Sequence, residues 1–363
     1  MPPNEPSPAP QPSDEVHKPI DPSPSSPHTN NLPGIPQLHS DQPELNDILT
    51  TMRTKHFLPG YLDHSTQRLI FARKNQQTLL DNPQSVEIGD EEFPLVWMQR
   101  TRDIPNRTKL LKQALNLMES KEDWSNLPGI FVALKHMKST PHAELMEYIV
   151  RKAIDAGRLP VIVRCLQQSE HTGVTLKRRE VLRHVIFGLH DHAARGGWSA
   201  ESVKEALGLA RNVSNLLESE AHGSGERLLS QDPRRRPEVI GVFLELAAVN
   251  AHFHQNGEDR GNAVKAYTSR LLSCMNEQAR QPTGLQPPVS GPVWEMLEGA
   301  PIWHGLALAE KVLGSGVPKE VGRIAADYEA GLENLCKAIE AQNPKEGSYG
   351  AQAVRVWREC TRD

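Results

Sequence analysis

Two close histidine pairs, His190-Leu-Asp-His192 and His252-Phe-His254, are the residues whose types most directly invite chemistry. Imidazole binds metals and moves protons near neutral pH. On a helix, however, positions two apart point about 200° apart, so neither pair can close on one ion. Ligand pairs on a helix need i, i+4 spacing, as in HExxH. His184 and Asp191, seven apart, share a face, but no third ligand accompanies them. Glu87, Asp90, Glu91 and Glu92 form an acidic turn without the regular oxygen spacing of a calcium loop. No GxxxxGK[ST], GxGxxG or GxSxG occurs, so the phosphate cradle and nucleophile elbow that such motifs supply are missing from the sequence. Cys165, Cys274, Cys336 and Cys360 lie far apart with no CxxC, and read as reduced thiols used as small hydrophobes. The expectation is a non-enzymatic chain with no catalytic residues, metal or cofactor.

Basic residues carry the remaining chemistry. Lys177, Arg178 and Arg179 stand at a helix start, with Arg183 one turn on and Arg164 just upstream. Cations at a helix N-terminus oppose its dipole. Either they dress a solvated face at that small cost or they line a surface that attracts a phosphate backbone. Arg234, Arg235 and Arg236 read as a solvated run in a loop.

Composition agrees with a fold of packed helices. Of 363 residues, 37% are hydrophobic and only 5% aromatic, which suits a lean core of Leu, Ile, Val and Ala between packed helices. The net charge of −4 sits at one end: residues 1–60 hold seven acids against three bases, whereas residues 101–200 hold sixteen bases against ten acids. That bias is milder than the footprint of a dedicated nucleic-acid domain. No apolar run reaches the roughly 18 residues of a membrane span.

The elements that must position these residues follow from the pattern. Residues 1–43, rich in Pro, Ser and Asn, read as a disordered tail. Residues 44–100 read as short helices followed by a β-hairpin. There Val86 and Ile88, then Phe93, Leu95 and Trp97, alternate about Gly89-Asp90, and Pro94 confines its strand to an edge. From Asn106 amphipathic helices follow one another. Residues 101–219 form one helical-repeat half, with N-caps expected at Thr140, Thr175 and Ser199. An exposed loop over 221–237 separates it from a second half, 237–341, which contains a Pro-rich break at 280–292. Residues 342–363 read as a C-terminal tail in which Val354 and Trp357 make a terminal turn. Apolar stripes starting at Leu110, Leu145 and Val181 are 35 and 36 residues apart, with others between them. This is the period of helix-pair arrays.

Ala156-Gly-Arg-Leu159, then Val163, Leu166 and Gly173-Val-Thr175, resembles the turn, second helix and exit of a pentatricopeptide repeat, over a region of about 110–217. The chain also resembles, in style, fungal mitochondrial helical proteins that serve organellar gene expression. The resemblance implies a mostly α, irregular, solenoid-like fold. It also implies an adaptor that binds RNA or a ribonucleoprotein, through Arg164, Lys177, Arg178, Arg179 and Arg183 if charge decides the surface. The implied compartment is the mitochondrion, although Met1–Pro36 shows no Arg-rich amphipathic presequence. The alternative is a protein–protein scaffold of the cytosol or nucleus.

Overall fold

The computed structural model describes residues 34–229, 232–280 and 291–362. Its longer helices are α1 (Pro43–Thr51), α2 (Arg107–Leu117), α3 (Asn126–His136), α4 (Ala143–Asp155), α5 (Leu159–Gln167), α6 (Arg179–Arg195), α7 (Ala200–Leu217), α8 (Pro237–Val249), α9 (Ala263–Arg280), α10 (Pro292–Leu313), α11 (Glu320–Glu340) and α12 (Tyr349–Cys360). Two strands, β1 (Gln84–Ile88) and β2 (Glu91–Leu95), form the expected hairpin in antiparallel register, with Val86 opposite Phe93 and Ser85 opposite Pro94. Gly89 turns it at a φ of +64°. A side chain there would meet Gly34 Cα at 2.8 Å, so the turn also needs glycine for close approach. Ile88, Phe93 and Leu95 are buried, which gives the hairpin the apolar support it lacks alone.

The helices after Asn106 pack as two alternating sets. Each of α2, α4, α6, α8 and α10 contacts the next, and α3, α5 and α7 do likewise. The first three of one set start 36 residues apart, at Arg107, Ala143 and Arg179. This is the helix-pair interval read from the sequence, and it lengthens after α6. A single apolar cluster runs from Ile35 to Cys360 across both halves, so neighbouring units complete one another's cores. No helix among the described residues is long and apolar enough to cross a membrane.

Several expectations need correction. The expected tail over 1–43 lies outside the described residues through position 33, but residues 34–42 are packed, with Ile35, Leu38 and Ser40 buried. Asn126 grips the backbone of His39 at both polar groups, accepting from its N–H at 2.9 Å and donating to its carbonyl at 2.7 Å. Ser40 donates to Asp123 Oδ1 at 2.5 Å. These hydrogen bonds and the buried side chains offset the ordering entropy that composition alone would leave uncompensated.

Ser199 caps α7 as expected, accepting from Ser202 N. Thr140 and Thr175 do not cap. The residue before α4 is His142 and the residue before α6 is Arg178. Thr175 instead accepts from Lys177 N and donates to the carbonyl of Ala221. The loop over 221–237 is exposed at 226–229, as expected, but docked at 222–225 and from Asp232 onward. His222, 1% exposed, accepts from Leu176 N through Nδ1 and donates from Nε2 to the Leu166 carbonyl, both at 3.1 Å. Arg234 is likewise held, donating to buried Asp232 at 2.9 Å and to the Gly225 carbonyl at 2.6 Å. The break at 280–292 falls largely on residues 281–290, outside those described.

The largest correction is at the end of the chain. Residues 349–360 form the three-turn helix α12, with Ala353, Val354, Val356, Trp357 and Cys360 buried. It lies against α10 and α11.

Candidate nucleic-acid interface and a buried polar centre

The five basic residues singled out by the sequence divide into two kinds. Arg164 on α5 and Lys177 ahead of α6 are exposed. Arg178 is half-buried, its Nε donating to Glu180 Oε1 at 2.7 Å and its Nη1 to the Pro141 carbonyl at 3.0 Å. Arg183 donates to Glu298 Oε1 at 2.7 Å and lies 4.1 Å over the Trp294 ring, pinning α6 to α10. Arg179 is half-buried and lines a cleft between α6, α8 and α10 with Arg183, Arg236, Glu238, Trp294 and Glu298. Arg178 and Arg183 therefore have internal partners that satisfy their charge, whereas Arg164 and Lys177 offer theirs to solvent.

Helix α6 presents a different chemistry at the residue after Arg183. His184, 3% exposed on its side chain, lies 3.6 Å from Glu147 of α4 and 3.2 Å from the Tyr349 hydroxyl of α12. Tyr349 also donates to Glu147 at 2.9 Å. Burial lowers the His184 pKa to about 4 against the opposing pull of Glu147, with Arg151 and Arg183 adding to the lowering. The imidazole is thus neutral at pH 7. An unfolded chain takes up a proton near pH 6.5 that the folded one refuses until near pH 4. This site therefore costs stability as pH falls from 6.5 towards 4. Urea midpoints at about pH 7 and about pH 5 should show a smaller acid-side loss in His184→Gln than in the wild type. Parallel curves would rule out this titration as the cause.

At the centre of the molecule is a group the sequence reading did not assemble. Glu245 of α8, fully buried, accepts from His190 Nδ1 at 2.8 Å through one oxygen and from His304 Nδ1 at 2.8 Å through the other. Cys360 donates a weak bond to the same carboxylate at 3.8 Å. Four helices, α6, α8, α10 and α12, meet there. Burial drives the His190 pKa down, the Glu245 carboxylate drives it up, and the net direction is upward. Burial drives Glu245 up, the two imidazoles drive it down, and the net direction is downward. The result is a charged pair sealed in the core. Trp198 stands edge-on to both imidazoles, with centroids 5.4 and 5.3 Å away. Its positive φ of +54° is held by His254, which donates to its carbonyl at 2.8 Å.

The first histidine pair splits as two-residue spacing requires. His190 points inward while His192 reaches Glu205 at 3.1 Å on the surface, and His254 grips Trp198. Asp191, beside His190, is 3% exposed and accepts from Arg195 of its own helix and Arg355 of α12, each at 2.6 Å. His184 and Asp191 share a face but serve different neighbours. His190, Glu245 and Cys360 bring ligand-type atoms within 4.8 Å of one another. Their nitrogen–oxygen separations are those of hydrogen bonds, and three donors already satisfy the carboxylate. The arrangement locks helices together and lies out of reach of any substrate. One signal for it stood in the sequence: Glu245 is the only charge in the apolar run Val239–Val249.

Comparison with known proteins gives this architecture a family. A curated relative from Neurospora crassa, described as small ribosomal subunit protein mS27, is 28% identical over 235 residues. The aligned stretch is 62% of this chain and 59% of that relative's length, so the chain spans less than two thirds of it. A family model described as Mrp13: Mitochondrial ribosomal protein mS27 matches residues 24–359. With nearly its whole length matched, the chain belongs to the mitochondrial ribosomal protein mS27 family and is a mitochondrial protein.

Proposed function

We propose that this chain is a non-enzymatic building block of the mitochondrial small ribosomal subunit, binding ribosomal RNA or a ribonucleoprotein surface through its stacked helices. Family membership over residues 24–359 carries the proposal, and the mitochondrial setting does not favour the cytosolic or nuclear scaffold. The structure supports it in two ways. Its buried titratable groups are spent on holding helices together. Its exposed cations in the first helical half, Arg164 and Lys177 among them, suit contact with phosphates, which contribute affinity without reading sequence.

The test is sedimentation of a tagged full-length chain from mitochondrial extract. Co-migration with the small subunit is expected, and a chain found only in free fractions would overturn the proposal. A second measurement addresses the charges. Neutralising Arg164, Lys177, Arg178, Arg179 and Arg183 together should weaken RNA binding and flatten its salt dependence. Arg164 and Lys177 account for most of the change in slope, at roughly 0.7–0.9 for each phosphate no longer neutralised. Neutralising Arg178 or Arg183 instead reduces stability, because each loses its ion pair, with Glu180 and Glu298 respectively. An unchanged salt slope in Arg164→Gln/Lys177→Gln would remove these two from the interface.

A further inference from the structure

Cations and aromatic rings are interleaved across neighbouring helices of the stack, a pattern that phosphate attraction alone does not call for. Lys112 of α2 sits with its Nζ 5.0 Å from the Tyr148 ring centre on α4. Arg151, one turn on, lies 5.9 Å from Tyr148 and 5.0 Å from Tyr349 of α12. Tyr349 packs against Trp294 of α10 at 5.1 Å, and the guanidinium carbon of Arg183 on α6 lies 4.1 Å from the centre of that indole. Five helices thus supply one continuous series. With neighbouring helices roughly 8–10 Å apart, it runs for some two to three helix spacings.

The rings are fixed at their rims. Tyr148 donates to Asn116 at 2.9 Å, and Tyr349 donates to Glu147 at 2.9 Å. Arg183 is held through its Nε by Glu298 Oε1 at 2.7 Å. All three rings are half-buried, with part of their surface in solvent, and Lys112 is exposed. Glu147 and Glu298 are interleaved with the cations, which leaves the face with little net charge. Such a face is a weak magnet for a duplex backbone. It is well matched to flat, unpaired bases, which stack on aromatic rings and guanidinium planes while scattered cations meet the strand's phosphates.

We infer that the face formed by Lys112, Tyr148, Arg151, Tyr349, Trp294 and Arg183 is a stacking track for an unpaired stretch of RNA. This deepens the proposed RNA-binding function and rests on it, while naming single-stranded rather than helical RNA as the ligand. The order in which the helices present these groups sets the path of the strand, from α2 over α4 towards the cleft beside α6 and α10.

The experiment is fluorescence anisotropy of the full chain with a labelled mixed-sequence single-stranded RNA of about 12 nucleotides, within the site sizes usual for single-strand binders, and with the same sequence as a duplex. The single strand should bind more tightly. Tyr148→Ala should weaken it roughly tenfold or more, as loss of one stacking platform does, with the salt slope preserved. Tyr148→Phe, which keeps the ring, should restore binding to within about twofold. Lys112→Ala should instead lower the salt slope by about 0.7. Circular dichroism confirms that each variant is folded. Equal affinity for the duplex, or an unaltered single-strand affinity in Tyr148→Ala, overturns the inference. The latter result is also what a protein-docking face would give. Its failure is separable from failure of the ribosomal proposal. A chain that co-migrates with the small subunit but shows no single-strand preference loses only the track. A chain that binds the single strand but sediments free loses only the ribosomal placement.

Discussion

A chain ending at Glu340 is expected to be recovered largely insoluble, or to melt far below the full-length protein, even though the removed segment reads as a surface tail. The segment buries Ala353, Val354, Val356, Trp357 and Cys360 against α10 and α11. Large apolar side chains contribute roughly 1.5–3 kcal/mol each on burial, so Val354, Val356 and Trp357 alone bring the loss to about 5 kcal/mol or more. That is comparable with the roughly 5–15 kcal/mol that holds an ordinary domain folded. Polar losses add to it. Asp191 is left buried with Arg195 alone once Arg355 is gone. Asp155 loses the Gln352 amide, and His184 and Glu147 lose the Tyr349 hydroxyl. Thermal unfolding followed by circular dichroism, with recovery from the soluble fraction, measures the effect. A soluble truncation melting within a few degrees of the full chain would show that α12 is dispensable to the fold.

Why this helix was hard to read is physical. Its apolar positions, Ala353, Val354, Val356, Trp357 and Cys360, are spread among Gln352, Arg355, Arg358 and Glu359, so twelve residues give a short and diluted stripe. What makes it a helix is the α10–α11 surface it covers, which local sequence does not contain. The hairpin was legible because alternation and a Gly-Asp turn are local. The two-set helical stack was legible as far as α6 because its starts keep one interval. Residues 34–42 were not, since their order depends on Asn126 and Asp123 more than eighty positions away. The buried centre was hidden for the same reason. His190, Glu245, His304 and Cys360 are each more than fifty residues apart, and no spacing rule connects them. The basic residues were legible as a cluster but not in their division of labour. Whether an arginine faces solvent or a carboxylate depends on what another helix, here the one carrying Glu298, places beside it.

Replacing Glu245 tests that buried centre. Glu245→Ala removes the acceptor for two imidazoles and one thiol at a site with no access to water, and leaves His190, whose folded pKa the carboxylate raises, without its counter-charge. Breaking a buried ion pair by deleting one partner costs about 3–5 kcal/mol, and a cavity among four helices adds to that. For a chain of this size the unfolding midpoint should drop by on the order of 10 °C. Glu245→Gln keeps the volume and one acceptor oxygen and should cost less, about 1–3 kcal/mol.

The deficit is also pH-dependent. The lowered pKa of folded Glu245 means that its contribution is present above the ordinary carboxylate range and lost as pH falls through the folded value. The raised pKa of folded His190 means that its contribution is present below about pH 6.5 and lost as pH climbs through the folded value. The difference between wild type and Glu245→Ala should therefore be greatest between those limits and narrow on both sides. Denaturant titrations at about pH 3.5, 5.5 and 9 measure it. A difference that is constant across the three would mean that Glu245 contributes volume rather than charge, and the four helices would then be held by packing alone.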